Sequence, residues 1–325
     1  MTKVTVLVAV YNAAPYVAEC LDSLLRQTLR DFQVVCIDDC STDESSGILQ
    51  DYARRDARIE VIRLDENHGQ AFARNVGLEK ARGEYVCFLD ADDWLDCNAL
   101  ESAVAEFGKE GVDAVLFEVS MDYTDHSSPY PMPAFETLSG KEAFRLSLTW
   151  QIHGIYMVRT AIHRQFPYDT TCRLYSDDNT TRLHYLHSQR VGRCKGVYHY
   201  RQHHASATHS ISVRRFDYLR ANESMKTMLL QLQMPRDILM IYESHRWLNL
   251  VGVYMFYFVH GRELSEADRQ WGLAELKRAW YTIDRTLLDG KTVRKLGYMP
   301  MPTWALFRLE EWLYFTLRGL LGKNN

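Results

Sequence analysis

Short apolar runs alternate with amphipathic segments along the first 120 residues. The apolar runs cover residues 4–11, 32–37, 59–64, 85–89 and 113–120, and their length and β-branched content are typical of buried strands. Between them, apolar residues recur at helical spacing, as in Val17, Leu21, Leu24 and Leu25. This alternation predicts an α/β fold with a mostly parallel sheet whose two faces are covered by helices.

Several helix ends carry local signals. Ser41 with Glu44, and Ser139 with Glu142, have the spacing of a capping box, in which each residue hydrogen-bonds the backbone of the other. The first pair predicts a helix that runs to about residue 55. Another helix is predicted over residues 71–82, with Gly83 as its stop signal.

Polar residues follow the strands at the points where they end. Three runs lead into polar pairs: Tyr11 and Asn12, Asp38 and Asp39, and Asp90 and Asp92. Because the carboxyl ends of parallel strands share one edge of a sheet, we expect a ligand crevice there. The turn after the first strand reads YNAAPY, with neither a GxGxxG nor a GxxxxGK[ST] loop, so a phosphate bound in this crevice requires a cation.

The segment EYVCFLDADDW is the strongest candidate for that cation site. In extended chain Asp90 and Asp92 project to one side, roughly 6.5 to 7 Å apart. Oxygen ligands of this kind suit Mg²⁺ or Mn²⁺. The alternative is a turn that caps the next helix, although Asp96 alone can supply that cap.

Composition excludes several classes of protein. The formal charge of −4 argues against a nucleic-acid partner, because no basic excess is available to neutralise phosphates. Seven cysteines without a CxxC pair indicate reduced cytosolic thiols rather than a disulfide framework or zinc site. We expect neither a signal peptide nor a membrane span, because the first apolar run is short and no run of about 18 apolar residues exists.

Two stretches carry a family resemblance: VLVAVYNAAPYVAECLDSLLRQTLRDFQVVCIDDCSTDES and NHGQAFARNVGLEKARGEYVCFLDADDW. Their ordered combination of YN, DD with ST, ARN and DADD closely resembles the family 2 glycosyltransferases with the GT-A fold. The resemblance is strong over residues 3–120 and weaker to about residue 210. It implies a GT-A catalytic domain over residues 1–210, followed by a helical C-terminal region over residues 211–325.

The resemblance implies roles for residues that would bind a nucleotide sugar. Ala9 and Tyr11 are similar to residues that line the nucleobase pocket, and Asp39 to the carboxylate that accepts the N3–H of uracil. Thymine and guanine also offer N–H donors, so Asp39 alone does not fix the base, and Asp38 fits a turn aspartate better. Arg74 is similar to a residue facing the diphosphate, with a solvated helix arginine as the alternative.

Three aspartates form the DxD motif that the resemblance implies. Asp90 would face the ribose or a metal-bound water, Asp92 would bind the metal directly, and Asp93 would orient Asp92 or cap the next turn. The segment LYSDDNTTRLHYL is similar to the family's catalytic-base segment. We align Asp178 with the general base and keep Asp177 as the alternative, since a carboxylate here can also cap a helix.

The segment VYHYRQHHASAT resembles the family's YR…S…T signature through Tyr200, Arg201, Ser206 and Thr208. Arg201 or a neighbouring histidine would contact the diphosphate. The crowded histidines are His199, His203, His204 and His209. Their spacing matches no standard zinc pattern, so we interpret them as surface or strand histidines. Trp150 and His153 lie where the family meets its acceptor.

The C-terminal third predicts long helices over residues 216–233, 236–260 and 266–288. The last segment, MPTWALFRLEEWLYFTLRGLLGKNN, mixes aromatic, aliphatic and basic residues. It is consistent with an interfacial helix on a membrane, with helix packing, or with a homodimer contact. Glu310 and Glu311 weaken a purely electrostatic attraction to anionic lipid.

Together, these features predict a cytoplasmic, metal-assisted inverting glycosyltransferase. It would transfer a sugar from a nucleotide donor, a UDP-sugar, to a glycan or lipid-linked glycan, with Mn²⁺ or Mg²⁺ as cofactor. One alternative is a non-catalytic docking component of a polysaccharide-assembly complex. Another is a sugar-phosphate nucleotidyltransferase, for which we expect a glycine-rich basic loop after the first strand, and YNAAPY is neither.

Overall fold

A computed structural model describes residues 2–202 and 211–323 of the chain. It divides into two compact units, one of residues 1–173 with 177–206 and one of residues 174–176 with 207–325. The predicted domain boundary at residue 210 lies outside the described residues, as do Ser206, Thr208, His203, His204 and His209.

The first unit is built on a mixed sheet of ten strands. The strands are β1 Val4–Val10, β2 Phe32–Asp38, β3 Ile59–Arg63, β4 Tyr85–Phe88, β5 Trp94–Leu95, β6 Val112–Asp122, β7 Ser127–Pro129, β8 Thr137–Ser139, β9 Tyr156–Arg159 and β10 Arg190–Arg201. Their order is β3-β2-β1-β4-β9-β6-β10-β5, with β7 on β6 and β8 on β10. The five strands predicted from sequence are β1, β2, β3, β4 and β6, and the α/β prediction is confirmed.

The sheet contains two sets of parallel strands that are joined by antiparallel pairs. The strands β3, β2, β1 and β4 are parallel, as expected for βαβ units, and β6 is parallel to β10. The short strand β9 joins these two sets because it pairs antiparallel with both β4 and β6. Every residue of β2 is buried, which agrees with the apolar residues that make up most of this strand.

Within the described residues, seven helices flank this sheet. They are α1 Val17–Leu25, α2 Ser45–Arg55, α3 Gln70–Glu79, α4 Ala99–Glu106, α5 Gly140–Ser147, α6 Thr160–Gln165 and α7 Asp177–Leu186. The apolar side of α1 packs into the core formed with β1 and β2 through Val17, Leu21 and Leu24. The ends of parallel strands are therefore held in fixed register at one edge.

The capping predictions have mixed outcomes. The box at Ser139 and Glu142 is confirmed, with Ser139 Oγ accepting from the Glu142 N–H at 3.3 Å and a Glu142 carboxylate oxygen accepting from the Ser139 N–H at 2.9 Å. The box at Ser41 and Glu44 is wrong, because α2 begins later and Ser41 Oγ accepts from the Asn12 N–H at 3.1 Å. A contact between two strand ends therefore replaces a local cap.

Asp96 and Gly83 also differ from expectation. The side chain of Asp96 does not cap α4; its carboxylate lies 3.2 Å from His199 Nε2. Gly83 does not stop α3, which ends at Glu79. A Cβ on Gly83 would lie 2.5 Å from the Thr5 backbone nitrogen, so glycine is required there by close backbone approach.

The second unit is helical. It contains α8 Asp217–Gln231, α9 Arg236–His260, α10 Glu266–Thr282 and α11 Trp304–Leu320, with 3₁₀ turns at Val213–Phe216, Arg285–Leu287 and Thr292–Arg294. The bounds predicted for α9 are confirmed. The helix α10 ends earlier than predicted because Asp284 Oδ1 accepts from the Thr286 N–H at 2.9 Å and forms a turn. None of the described helices combines the length and hydrophobicity that a membrane crossing requires.

Candidate active site

The carboxyl ends of β1 and β2 place Ala9, Tyr11 and Asp39 at one edge. The Asp39 N–H donates to the Val10 carbonyl at 2.8 Å, which joins the two strand ends. Ala9 is half-buried and Tyr11 is 50% exposed, so an aromatic ring is available at the surface of the crevice. The geometry brings together the three residues that the sequence associated with a nucleobase.

Asp39 is buried and anchors a neighbouring loop. Its carboxylate accepts from the His68 N–H and the Gly69 N–H, both at 2.8 Å, and from Asn67 Nδ2 at 2.9 Å. A carboxylate has about four acceptor positions, so one remains for a ligand N–H. Asp38 behaves as the turn aspartate that we expected, because its Oδ1 accepts from the Ser41 N–H at 2.9 Å.

Arg74 lies buried on α3 between two carboxylates. Its Nη2 is 2.5 Å from Asp90 Oδ1 and its Nη1 is 3.1 Å from Asp177 Oδ2. The guanidinium also stacks over Phe88, with Cζ 4.0 Å from the ring centre. Burial alone would lower the pKa of Arg74, but the two carboxylates raise it, so the side chain stays charged. The solvated-arginine interpretation is therefore wrong.

The three aspartates after β4 occupy different environments. Asp90 accepts from Arg74 and from Gln70 Nε2 at 2.8 Å. Asp93 is buried, and its carboxylate accepts from the Tyr198 hydroxyl at 2.7 Å and from the Arg201 N–H at 2.8 Å. Asp92 is half-buried, and its carbonyl accepts from Arg201 Nε at 2.8 Å. Asp93 thus ties the loop to β10, which leaves the other two carboxylates at the crevice.

Tyr198 and Arg201, both on β10, hold residues 90–93 in place, and we call these residues the DxD loop. The Tyr198 hydroxyl donates to Asp93 and accepts from the Asp90 N–H at 3.1 Å. Arg201 contacts Glu19 on α1 through Nη2 at 2.5 Å and lies over the Trp94 ring at 4.5 Å. Arg201 was predicted to face the diphosphate, and the structure places it against the backbone of the DxD loop. Tyr198 was not singled out from sequence.

Burial and neighbouring carboxylates raise the pKa of Asp90 and Asp93. Burial raises the pKa of Asp90, Arg74 opposes the rise, and Asp92 and Asp177 add to it. Burial, together with Asp90 and Asp92, raises the pKa of Asp93 well above its usual range. Asp92 and Asp177 lie close enough to Asp90 to raise its pKa, and carboxylate oxygens grouped in this way suit a divalent cation. The described residues include no group of three or more His, Cys, Asp or Glu side chains arranged to bind a metal alone, whereas Mg²⁺ usually takes only one or two protein carboxylates.

Asp177 and Asp178 are the first two residues of α7, and their surroundings differ. Asp177 is paired with Arg74. Burial, followed by the adjacent Asp177, raises the pKa of Asp178 from 3.8 to about 8, with Arg182 opposing the rise. A carboxylate whose pKa lies near neutral pH can accept a proton effectively. The electrostatics therefore distinguish the two residues, which the sequence could not.

A cavity of about 260 Å³ lies between the end of β4 and the start of α7. Among the described residues, its lining includes Arg74, Phe88, Asp90, Tyr130, Trp150, His153, Tyr168, Asp177, Asp178 and Tyr200. The predicted acceptor residues Trp150 and His153 thus share one cavity with the predicted base. Ala9, Tyr11, Asp39, Asp92 and Arg201 do not line it.

Aromatic residues complete the cavity wall. The Tyr130 hydroxyl donates to the Trp150 carbonyl at 3.0 Å, and burial lowers the pKa of His153 to about 4, so that ring is neutral at pH 7. Tyr130 comes from a proline-rich loop that carries no sequence signal for a site. Tyr198 could have been found from the period-two alternation of VYHYR, which places it on the same side of a strand as Tyr200.

His199 is a structural residue rather than a metal ligand in this structure. Its Nδ1 lies 2.9 Å from Asp122 Oδ2, its Nε2 contacts Asp96, and its ring stacks on Trp94 at 4.9 Å. This agrees with the interpretation of a strand histidine.

Comparison with known proteins identifies relatives that match part of the chain. The Bacillus subtilis protein described as "Uncharacterized glycosyltransferase EpsJ" is 31% identical over 217 residues, which is 63% of this chain and 62% of that protein. The B. subtilis "Putative teichuronic acid biosynthesis glycosyltransferase TuaG" is 47% identical over 114 residues, 35% of this chain and 45% of that protein. The chain thus spans less than two thirds of the length of these curated relatives.

The fold is shared with a solved structure. Residues 1–349 of S. aureus TarS, crystallised in complex with UDP-GlcNAc, superpose with a TM-score of 0.72 at 20% identity, covering 99% of this chain and 92% of that one. The GT-A-type fold with its helical C-terminal region is therefore confirmed. The family model "Glycosyl transferase family 2" matches residues 5–169, and the chain belongs to this family.

Proposed function

We propose that the protein transfers a sugar from a nucleotide-sugar donor to a hydroxyl group of a glycan or lipid-linked glycan, with inversion at the anomeric carbon. The observation that carries this proposal is the shared cavity, in which Asp178 with its raised pKa lies on the same wall as Asp177, Arg74 and Asp90. Family membership supports the reaction class. Envelope polysaccharide assembly is the proposed process, since one relative is described as a teichuronic acid biosynthesis glycosyltransferase.

The proposed donor is a UDP-sugar bound at the ends of β1 and β2. Tyr11 would stack on the base, Ala9 leaves room for it, and the remaining acceptor position of Asp39 would take the N3–H of uracil. The UDP-GlcNAc complex of TarS, which has the same fold, supports a uridine nucleotide. Arg74 would place positive charge beside the diphosphate while it holds Asp90 and Asp177 in position.

Asp92 and Asp90 are the proposed ligands of a Mn²⁺ or Mg²⁺ ion. A bound divalent cation supplies Lewis-acid assistance to the departing nucleoside diphosphate. Asp93 is unsuited to this task because both of its carboxylate oxygens already accept hydrogen bonds from β10. Its proposed role is to hold the loop so that the two neighbouring carboxylates face the crevice.

Asp178 is the proposed general base. The acceptor oxygen forms a bond to the anomeric carbon as the bond to the diphosphate breaks, and the hydroxyl proton passes to the Asp178 carboxylate. Asp177 is less suited to this role because one of its carboxylate oxygens is already paired with Arg74 Nη1 at 3.1 Å. Trp150 and Tyr130 offer aromatic surface for the acceptor sugar on the same cavity wall. Proton transfer of this kind contributes about 10²- to 10⁴-fold to the rate.

The proposed location is the cytoplasm, where nucleotide sugars would be supplied. Dimerisation remains a prediction. Contact of the last helix with a membrane surface also remains a prediction and is developed below.

The test is calorimetry with UDP, GDP and dTDP, each with and without Mn²⁺, combined with transfer assays. We expect tight binding of UDP only when the cation is present, and loss of this dependence in Asp92→Ala. Asp125→Asn is a matched control, because Asp125 is an exposed aspartate whose side chain is 84% accessible. Absence of binding for every nucleotide would favour the non-catalytic docking component.

A further inference from the structure

The helix α11 buries one apolar side within the second unit. Phe307 packs against Trp247 with ring centres 5.5 Å apart, and Phe315 lies 6.5 Å from Tyr254. Both phenylalanines are fully buried. Trp304 also packs there, with its ring centre 5.8 Å from that of Trp280, so the buried side of α11 attaches the helix to the second unit.

A second apolar side of α11 is exposed. It consists of Leu306, Leu309, Trp312, Leu313, Leu317 and Leu320, each between 45% and 80% exposed. Since each helical residue turns by about 100°, these six side chains fall within an arc of about 140°. We call this arc the leucine face. A solvent-facing helix surface is ordinarily polar, and a contiguous apolar one marks a binding surface.

The two acidic residues of α11 do not reach the leucine face. Glu310 and Glu311 are buried, at 4% and 0% exposure. One Glu310 oxygen accepts from the Gly297 N–H at 3.0 Å. Burial, followed by the adjacent Glu310, raises the pKa of Glu311 to about 9, so it carries no charge at pH 7. The expectation that these acids weaken attraction to anionic lipid is therefore wrong.

The other charged residues from 290 to 323 are all basic: Lys291, Arg294, Lys295, Arg308, Arg318 and Lys323. All except the half-buried Arg318 are exposed. The segment before α11 lies along the helix, because the Tyr298 ring is 5.8 Å from that of Tyr314. The nearest preceding acid, Asp289, accepts from the Thr292 N–H at 3.0 Å. We call these six residues the basic rim.

We propose that the leucine face and the basic rim dock this protein on an anionic lipid bilayer, with α11 lying in the plane of the surface. An exposed aromatic and aliphatic face bordered by cations is the pattern of helices that bind at the membrane interface. A second copy is a poorer occupant, since a two-fold contact through this face would bring two basic rims together. Acidic headgroups neutralise the rim instead.

The test is co-sedimentation of the full chain with vesicles of phosphatidylcholine, with or without phosphatidylglycerol. We expect the partition constant to be at least about tenfold higher with the anionic lipid and to fall as salt is added. Leu309→Glu with Leu313→Glu should lower it about tenfold or more. The matched control is Leu230→Glu with Leu232→Glu, which changes two leucines of similar exposure, 54% and 41%, in the same unit.

A second variant separates charge from hydrophobicity. Lys291→Gln, Arg294→Gln and Lys295→Gln together remove half of the basic rim and should lower the preference for phosphatidylglycerol about tenfold or more, while leaving binding to phosphatidylcholine unchanged. Wild-type binding by the Leu309 and Leu313 variant, with its circular dichroism intact, would overturn the proposal. A second result would also overturn the proposal: the wild-type protein binds neither kind of vesicle, and light scattering shows a dimer that the Leu309 and Leu313 substitutions dissociate. Neither readout requires sugar transfer, so the result is independent of the proposed reaction.

Discussion

Replacing Asp178 with asparagine separates the general base from every other part of the cavity. The substitution keeps the shape of the side chain and removes its ability to accept a proton. We expect kcat to fall by at least about a hundredfold, since general-base assistance contributes about 10²- to 10⁴-fold. The KM for the donor should change little, because the contacts proposed for the nucleotide involve other residues.

The raised pKa of Asp178 also predicts a pH profile. With a pKa of about 8, the carboxylate is the minor form at pH 7. Only about one molecule in ten is then ionised, so kcat/KM should rise about tenfold per pH unit below 8 and level off above it. This rise should be absent in Asp178→Asn. A stopped or coupled assay of UDP release, run from about pH 5.5 to 9 on the wild-type protein and on Asp178→Asn, measures this difference.

The raised pKa of Asp178 also predicts that Asp178→Asn is more stable than the wild-type protein. The unfolded chain loses this proton near 3.8, whereas the folded protein keeps it until about pH 8, so wild-type stability falls as pH rises between these values. The full difference corresponds to about 5 to 6 kcal/mol at 1.36 kcal/mol per unit. Water in the open cavity reduces it, and we expect about 1 to 3 kcal/mol in favour of Asp178→Asn at pH 9.

Asp177→Asn is the matched comparison. It removes one partner of Arg74 and should destabilise the protein. The rise in rate with pH should persist but move to lower pH, because Asp177 helps to raise the pKa of Asp178. If Asp177→Asn alone abolished transfer, or if Asp178→Asn kept wild-type kcat, the assignment of the base would be refuted. A flat pH profile in the wild-type protein would refute the role of the raised pKa.

Four further substitutions test the surrounding structure. Asp92→Ala should abolish the dependence of UDP binding on Mn²⁺, measured by calorimetry; unchanged metal dependence would exclude this ligand. Arg74→Lys should lower kcat about ten- to a hundredfold, because an ammonium cannot span two carboxylates as a guanidinium does; steady-state kinetics with wild-type rates would contradict this. Tyr198→Phe leaves the buried Asp93 carboxylate short of a donor and should cost about 1 to 3 kcal/mol in urea unfolding. Ser139→Ala removes a capping box and should cost about 1 kcal/mol, or about 2 to 4 °C in Tm, without affecting transfer.

Local and periodic signals predicted much of the fold. The helix α9 was located from its long apolar repeat, and Pro235 lies directly before its first residue. The box at Ser139 formed because both partners are adjacent in the chain. The box at Ser41 failed because Asn12, 29 residues away, takes its hydroxyl. Such competition between strand ends has no local signature.

The sequence indicated some of the residues that line the cavity but not the electrostatics around them. Resemblance indicated Asp90, Asp177 and Asp178, and the structure gathers all three at one cavity. It could not show that Arg74 is buried between carboxylates, since its partner Asp177 is 103 residues away. Tyr130 escaped notice because the loop that carries it reads only as turn formers. Long-range packing determines both features, and a single sequence does not encode it as a pattern.

The ion pairs of Arg74 have a consequence for protein engineering. The Arg74 guanidinium pairs with Asp90, which follows β4, and with Asp177 at the start of α7. These two segments therefore share one counter-ion. Libraries that vary residues around Asp90 to change the nucleotide or sugar will also alter the charge next to Asp178. Selection for a new donor should therefore include the start of α7, because the optimum at one position depends on the residue at the other.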